Sequence, residues 1–143
     1  TNMGLEDFAS VLNTHVVGHF KVVKAAWPHF VKQHYGRVVM NCSEAGLHGH
    51  FGQLNYAAAK GALLGMGQTL GQEGFKDGIL CNVICTEGLT RMTNDLLPED
   101  QRISEDELQR TQQPAAFPVA YLCHETCKAT CGVYRVEHGH IQA

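Results

Sequence analysis

The chain opens with apolar residues at the spacing of one helical face. Between residues 5 and 35 they recur every three or four positions, which predicts a helix that Pro28 should kink or divide and Gly36 should end. Residues 37–41 are mostly apolar and β-branched, and they predict a short strand. Three glycines fall within residues 42–53, so we expect a loop there.

A second helix is predicted over residues 55–73, and its glycine content is unusual. Each glycine costs up to about 1 kcal/mol relative to alanine in a helix interior. Their spacing, however, gives the helix smooth faces that another helix or a sheet can approach closely. The helix should therefore depend on tertiary packing for its stability. The glycines are Gly61, Gly65, Gly67 and Gly71.

Strands and helices alternate through the rest of the chain. Residues 79–85 are apolar without alternation, which predicts a fully buried strand, and residues 133–136 predict a last short strand. Between them, Ser104 and Glu107 have the spacing of a capping box at the start of a short helix, and a further helix is predicted over 114–125. This alternation favours an α/β fold with a parallel sheet and helical crossovers.

The number of strands is low for such a fold. A parallel sheet needs both faces covered and its edges protected, and three strands leave two of them as edges. We therefore expect a partial, Rossmann-like, doubly wound parallel sheet that lacks the strands of its first half. Residues 1–143 are interpreted as a single partial domain.

Composition excludes several classes of protein. The chain has 143 residues, 44% of them hydrophobic, which suits one globular domain. A net charge of −3 gives no basic surface for nucleic acid, and no apolar run has membrane-spanning length. Without a secretory signal pattern, the six cysteines are expected to be free thiols of an intracellular protein. We expect no metal site, because a helix joining Cys123, Cys127 and Cys131 would have to continue almost to Gly132.

Three residues carry the candidate chemistry. Tyr56 and Lys60 are four positions apart on the second predicted helix, so they share a face, and the ammonium should lower the pKa of the tyrosine. Such a tyrosine can act as an acid or base nearer neutral pH. Ser43 follows the first predicted strand, where ligands bind in α/β sheets, and its hydroxyl can hydrogen-bond a substrate oxygen.

With the glycine-rich segment between them, these residues resemble the catalytic half of the short-chain dehydrogenase/reductase family. The matching segments are Gly36–Ser43 and Gly52–Lys60, the latter with the YxxxK pattern. Further segments are similar to the (3R)-hydroxyacyl-CoA dehydrogenase domain of peroxisomal multifunctional enzymes; they are Ala25-Ala26-Trp27-Pro28, Gly49-His50-Phe51-Gly52-Gln53, Thr90-Arg91-Met92-Thr93 and Leu122-Cys123-His124-Glu125.

The resemblance implies NAD-dependent oxidation of a 3-hydroxyacyl-CoA or a hydroxysteroid. Ser43 would position the substrate oxygen, Tyr56 would be the acid/base, and Lys60 would bind the nicotinamide ribose. His15 matches the family's fourth catalytic position. Ile84 and Thr86 would join Tyr56 and Lys60 in binding the cofactor. The resemblance also implies a homo-oligomer and a peroxisomal location, although Ile141-Gln142-Ala143 is not a peroxisomal address.

Departures from the family pattern leave a second interpretation open. The GxxxGxG nucleotide loop of the family's first half does not occur in this sequence, Thr86 replaces a proline, and Glu44 places a charge beside Ser43. Losing that loop removes a pyrophosphate cradle, so the chain by itself is expected to be inactive. The alternative is a non-catalytic remnant that serves as an oligomerisation or interaction module. The substrate, and the choice between NAD and NADP, stay open.

Overall fold

The structure is a computed structural model that describes residues 2–86, 88–137 and 140–143. The predicted N-terminal helix is helical almost throughout, as α1 (Leu5–Leu12), a π-helical turn (Asn13–Val17) and α2 (Gly18–Gln33). Pro28 does not divide the helix, because α2 continues through it. Lys24, whose carbonyl loses its helical donor to Pro28, is exposed to water that can replace the missing bond.

The end of α2 and the start of the sheet differ in detail from expectation. The helix ends at His34, which takes the left-handed conformation at φ 50°, and not at Gly36, which is already the first residue of β1 (Gly36–Asn41). The predicted loop over residues 42–53 contains a five-residue helix, α3 (Glu44–His48). Ser43 explains its presence, because the serine side chain accepts a hydrogen bond from the backbone of Ala45 and caps the helix.

Four strands form one sheet in the order β1-β2-β3-β4. β1 pairs in parallel with β2 (Ile79–Thr86), and β2 pairs in parallel with β3 (Val133–Glu137), as predicted. The sheet is mostly parallel, as expected, and a fourth strand that was not predicted, β4 (His140–Gln142), runs antiparallel to β3. Its three residues are too few to produce a readable alternation of apolar and polar positions.

The long glycine-containing helix, α4 (Leu54–Gly74), packs on one face of the sheet. A Cβ at Gly67 would lie 2.4 Å from Val83 Cγ2, and a Cβ at Gly71 would lie 2.7 Å from Cys131 Sγ. The glycines therefore permit the close approach that their spacing predicted. Gly65 is different, because it is exposed and a Cβ added there would meet no atom within 4 Å.

The other face of the sheet is covered by α6 (Glu105–Cys123). Ser104 and Glu107 form the predicted capping box. The two separate helices predicted here are one continuous helix, with Pro114 and Pro118 inside it. The short helix α5 (Arg91–Asn94) and a 3₁₀ turn (Glu99–Gln101) lie between β2 and α6.

β2 is the centre of the fold, and all but its last residue are buried. One of the buried residues, Asn82, is polar. Its amide donates to the carbonyl of Ala129 at 2.8 Å and accepts from the backbone of Gly132 at 3.1 Å, so it fixes the turn before β3. With helices on both faces of a mostly parallel sheet, the chain is a partial Rossmann-like α/β fold. In the part of the chain that the structure describes, no helix is both long and apolar enough to cross a membrane.

Candidate active site

The structure brings Ser43, Tyr56 and Lys60 to one cavity at the carboxyl ends of β1 and β2. Ser43 follows β1 directly, while Tyr56 and Lys60 lie in the first two turns of α4. The cavity has a volume of about 810 Å³. Thr86 at the end of β2 also contributes to its wall, so four of the predicted site residues share one space.

Lys60 is fixed by the protein on two sides. Its ammonium donates a hydrogen bond to the backbone carbonyl of Asn41 at 2.7 Å and lies 5.5 Å from the centre of the Tyr56 ring. The residue is 6% exposed, and this burial lowers the pKa of Lys60, while the neighbouring Cys42 and Cys85 thiols oppose the shift. The charge is therefore held at one place beside the tyrosine without a carboxylate partner in the described lining.

Tyr56 is positioned by the start of α4. The Asn55 side chain accepts from the backbone of Tyr56 at 2.8 Å and donates to the carbonyl of Asp7 at 3.3 Å, which ties α4 to α1. Among the residues that the structure describes, none forms a hydrogen bond with the Tyr56 hydroxyl, so that hydroxyl can meet a substrate.

His15 does not line the cavity, but its ring contacts the ring of Tyr56. The two rings meet edge to face, with centroids 5.6 Å apart and an angle of 85° between the planes. His15 lies on the π-helical turn, a local deviation that often marks functional sites. Burial is the main cause that lowers the pKa of His15, and the charges of Lys60 and His19 lower it further. The imidazole is therefore neutral at neutral pH.

Glu44, the unexpected charge beside Ser43, is paired. Its carboxylate lies 2.8 Å from Nε of Arg135 on β3 and 3.7 Å from Nε2 of His48. Arg135 also lies 3.1 Å from the Glu137 carboxylate. The ion pair joins the start of α3 to β3, so the negative charge next to Ser43 is offset by a cation.

The two residues of β2 that were predicted to bind the cofactor differ in their position relative to the cavity. Thr86 faces the cavity, and its hydroxyl donates to the Asn41 side chain at 3.5 Å. Ile84 is buried on the other face of the sheet, where it packs with Leu122 and Cys127, and the cavity wall does not include it. Its carbonyl accepts from the backbone of Cys42 at 2.7 Å, so Ile84 supports the end of β1 below the cavity.

Sequence reasoning missed part of the cavity wall. Asn41 holds Lys60 through a backbone carbonyl, a contact that has no side-chain signature. The segment after β2 supplies a further wall, and its only signal in the sequence is the family resemblance of residues 90–93. Gln112 of α6 holds this segment by donating to the carbonyl of Leu89 at 3.0 Å. The wall residues from this region are Gly88, Leu89, Thr90, Met92, Thr93, Gln112 and Ala115.

The cavity suits one end of a nicotinamide dinucleotide. Hydroxyl groups of Ser43 and Tyr56, together with the Lys60 ammonium, can donate to a ribose and to a neutral carboxamide. Lys60 is the one cationic side chain in the described lining. A diphosphate would need more positive charge or a turn of backbone amides, so the residues present fit the nicotinamide ribose and not the rest of the dinucleotide.

Comparisons with known proteins agree with this geometry. The short chain dehydrogenase family model matches residues 1–101. A putative short-chain type dehydrogenase/reductase of Mycobacterium tuberculosis is 44% identical over 141 residues, which are 98% of this chain and 47% of the relative. Peroxisomal multifunctional enzyme type 2 of Mus musculus is 42% identical over 138 residues, 95% of this chain and 18% of that enzyme. The chain thus spans less than half the length of either relative.

Two solved structures share the fold. Full-length peroxisomal multifunctional enzyme type 2 from Drosophila melanogaster superposes with a TM-score of 0.80 at 37% identity, over 99% of this chain and 24% of the other. ElxO with NADP bound has a TM-score of 0.83 over 96% of this chain and 59% of the other, and its 23% identity supports the fold alone. The match of the family model over most of the chain, with the relatives' identities, shows that this chain belongs to the short-chain dehydrogenase family.

Proposed function

We propose that the chain carries the catalytic residues for NAD-dependent oxidation of a 3-hydroxyacyl-CoA or a hydroxysteroid, and that residues 1–143 alone are inactive because the described cavity fits only the nicotinamide ribose of the dinucleotide. The observation that carries the proposal is Lys60, held between the Asn41 carbonyl and the Tyr56 ring. A fixed, buried cation beside a tyrosine stabilises a phenolate, which is what proton transfer by that tyrosine requires.

The proposed roles follow from the positions of the side chains. The Ser43 hydroxyl donates a hydrogen bond to the substrate oxygen, and Tyr56 removes the proton from the substrate hydroxyl. Lys60 stabilises the Tyr56 phenolate that accepts this proton, and it donates to the ribose hydroxyls. Bound NAD supplies the acceptor for the hydride. Neutral His15, at the edge of the Tyr56 ring, keeps that ring in place.

Thr86 is proposed to border the nicotinamide, where the family usually has a proline. It lies on the cavity wall and bonds to Asn41, the residue whose carbonyl holds Lys60. Ile84 takes part only indirectly, through the backbone bond that fixes Cys42 beside Ser43.

The substrate class is proposed from the wall and from the relatives. Leu89, Met92 and Ala115 give the cavity an apolar side suited to an acyl chain or a steroid. Similar chains include the peroxisomal multifunctional enzymes and an acetoacetyl-CoA reductase of Acinetobacter, 33% identical over 130 residues. On the same grounds we propose a peroxisomal location.

An interaction module is the second candidate function. It is favoured by the apolar side chains that α1 and α2 expose: Leu5 is 82% exposed, Phe20 52% and Val22 71%. A second copy of the chain is the proposed partner, which would make the protein a homo-oligomer. This function needs no dinucleotide, so cofactor binding separates the two candidates.

Isothermal titration with NADH tests the proposal. The isolated chain is expected to show no saturable binding up to about 1 mM. Micromolar affinity would contradict the proposed need for a further nucleotide-binding half. The companion protein is a fusion in which the first half of the mycobacterial relative precedes this chain. We expect this fusion to bind NADH.

The intact mycobacterial relative serves as the positive control for the titration. A fusion that unfolds in one cooperative transition but binds no NADH would favour the interaction module. Sedimentation of the isolated chain then measures that alternative directly, since an oligomerisation module should associate without any cofactor.

A further inference from the structure

Two cysteines lie side by side at the edge of the active-site cavity. Cys42 follows β1 one position beyond the paired residues Asn41 and Ile84, and Cys85 occupies the matching position on β2. The backbone of Cys42 donates to the Ile84 carbonyl at 2.7 Å, so the pairing continues to this point. Neighbouring strands are about 4.8 Å apart, which is within the Cα separation that a disulfide spans.

Both thiols point to the same side of the sheet, into the core beneath α4. Cys85 is fully buried, whereas Cys42 is 2% exposed and forms part of the cavity wall. The Cys42 sulfur lies 3.2 Å from the Lys60 carbonyl and 3.4 Å from the Ser43 carbonyl. A small molecule that enters the cavity therefore reaches Cys42 first and finds Cys85 directly behind it.

The pair is arranged so that one thiol activates the other. A hydrogen bond from Cys85 is the main cause that lowers the pKa of Cys42 to about 7, against the opposing effect of burial, and the Lys60 ammonium contributes in the same direction. The same hydrogen bond and burial raise the pKa of Cys85. Cys42 therefore loses its proton more readily than an ordinary thiol, and the thiolate is the form that attacks a peroxide.

We propose that Cys42 and Cys85 form an oxidation site that reacts with small hydroperoxides to give a disulfide beneath Ser43 and Lys60. The Cys42 thiolate attacks the peroxide, an S–O bond forms and the O–O bond breaks, leaving a sulfenic acid and, after protonation, water or an alcohol. The Cys85 thiol then displaces the sulfenic oxygen as water, forming the S–S bond. The two sulfurs supply the two electrons that reduce the peroxide.

Oxidation would alter the active site next to it. In the reduced pair, the Cys42 thiol bonds to the Lys60 carbonyl, and Cys42 directly precedes Ser43. A disulfide removes the thiol hydrogen from that bond and draws the sulfur toward β2. Lys60 and Ser43 would lose a shared support, so the oxidised chain is expected to hold both side chains less firmly.

The test is mass spectrometry of the 143-residue chain treated with hydrogen peroxide at pH 7 and then alkylated. Trypsin releases Cys42 in peptide 38–60 and Cys85 in peptide 77–91, which also contains Cys81. We expect these two peptides to become cross-linked, with fragmentation placing the bond at Cys85. Cys42 should be consumed about fivefold faster than exposed Cys123, and its rate should rise with pH through about 7.

Matched variants separate the two thiols of peptide 77–91. Cys85→Ala should abolish the cross-link and slow the oxidation of Cys42, because the hydrogen bond that lowers its pKa is lost; the sulfenic acid that still forms is trapped by dimedone. Cys81→Ala should cross-link like the unmodified chain. The proposal is overturned if Cys42 remains reduced while Cys123 is oxidised, or if Cys81→Ala and not Cys85→Ala removes the cross-link. The measurement on the unmodified chain uses no variant, so it tests the proposal even if a variant misfolds. It also needs no NADH, so its outcome is separate from that of the proposed function.

Discussion

β2 and α4 differ sharply from α1 and α2, although all four come from strongly apolar sequence. All but the last residue of β2 are buried, and α4 buries six residues against it and the neighbouring turns. By contrast, every residue of α1 and α2 is at least partly exposed. The apolar sequence predicts regular elements in both regions, but only packing decides which region holds the fold together. The proposed catalytic residues Tyr56 and Lys60 are in the well-packed region.

The largest expected difference is between truncations in the two regions. Leu63 on α4 is fully buried, so Leu63→Ala should lower the free energy of unfolding by about 2–5 kcal/mol. Phe20 on α2 is half exposed, so Phe20→Ala should change it by about 0.5 kcal/mol or less. Urea denaturation measures both values. Equal losses of unfolding free energy would contradict the claim that α4 holds the fold together and α2 does not.

Two glycines of α4 allow a packed and an exposed position to be compared within one helix. Gly67→Ala places a methyl group 2.4 Å from the buried Val83 side chain and should destabilise the chain by about 1–3 kcal/mol. Gly65→Ala meets nothing within 4 Å and should stabilise it by about 0.5–1 kcal/mol. The two melting temperatures should therefore move in opposite directions. A shift of the same sign would show that α4 does not approach the sheet as closely as described.

Cys131 tests a strained position next to α4. It adopts a left-handed backbone at φ 58°, which costs a residue with a side chain about 1–2 kcal/mol. Cys131→Gly removes that strain but adds the entropy that glycine loses on folding, so a net gain of about 0.5 kcal/mol is expected. Cys123→Gly, at the end of a regular helix, is the control and should lose stability. A loss for Cys131→Gly that equals the control would mean that the sulfur packing outweighs the strain.

The smallest effect on stability is expected for Tyr56→Phe. The substitution removes only a hydroxyl that bonds to no described residue, so the free energy of unfolding should change by less than about 0.5 kcal/mol. Thermal unfolding of both chains measures the change. A large drop in melting temperature would assign Tyr56 a structural role.

Much of the fold could be predicted because it depends on local patterns. The apolar run of β2, the capping box at Ser104 and the position of Ser43 after β1 are all visible in the sequence and confirmed in the structure. What escaped prediction depends on tertiary context. The helix α3 is only five residues long, and the antiparallel β4 only three, so neither leaves a periodic signal.

The sequence predicted most of the side chains at the site, but not the backbone contacts that hold them in place. Tyr56 and Lys60 share a face because helix geometry dictates it, whereas Thr86 was expected at the site only because of the family resemblance. The Asn41 carbonyl that holds Lys60 carries no sequence signal, since any residue could supply it. Ile84 lies away from the cavity because it is two residues before the end of β2, where Leu122 and Cys127 cover it.

The rate of NADH formation by the fusion protein tests the central claim most directly. With a (3R)-hydroxyacyl-CoA and NAD, the fusion of the mycobacterial relative's first half to this chain should be active, and Tyr56→Phe should lower kcat by about 10²–10⁴-fold while the protein still folds and binds NADH. An active fusion whose Tyr56→Phe variant turns over at an undiminished rate would contradict the claim that the Ser43, Tyr56 and Lys60 cluster performs the proton transfer.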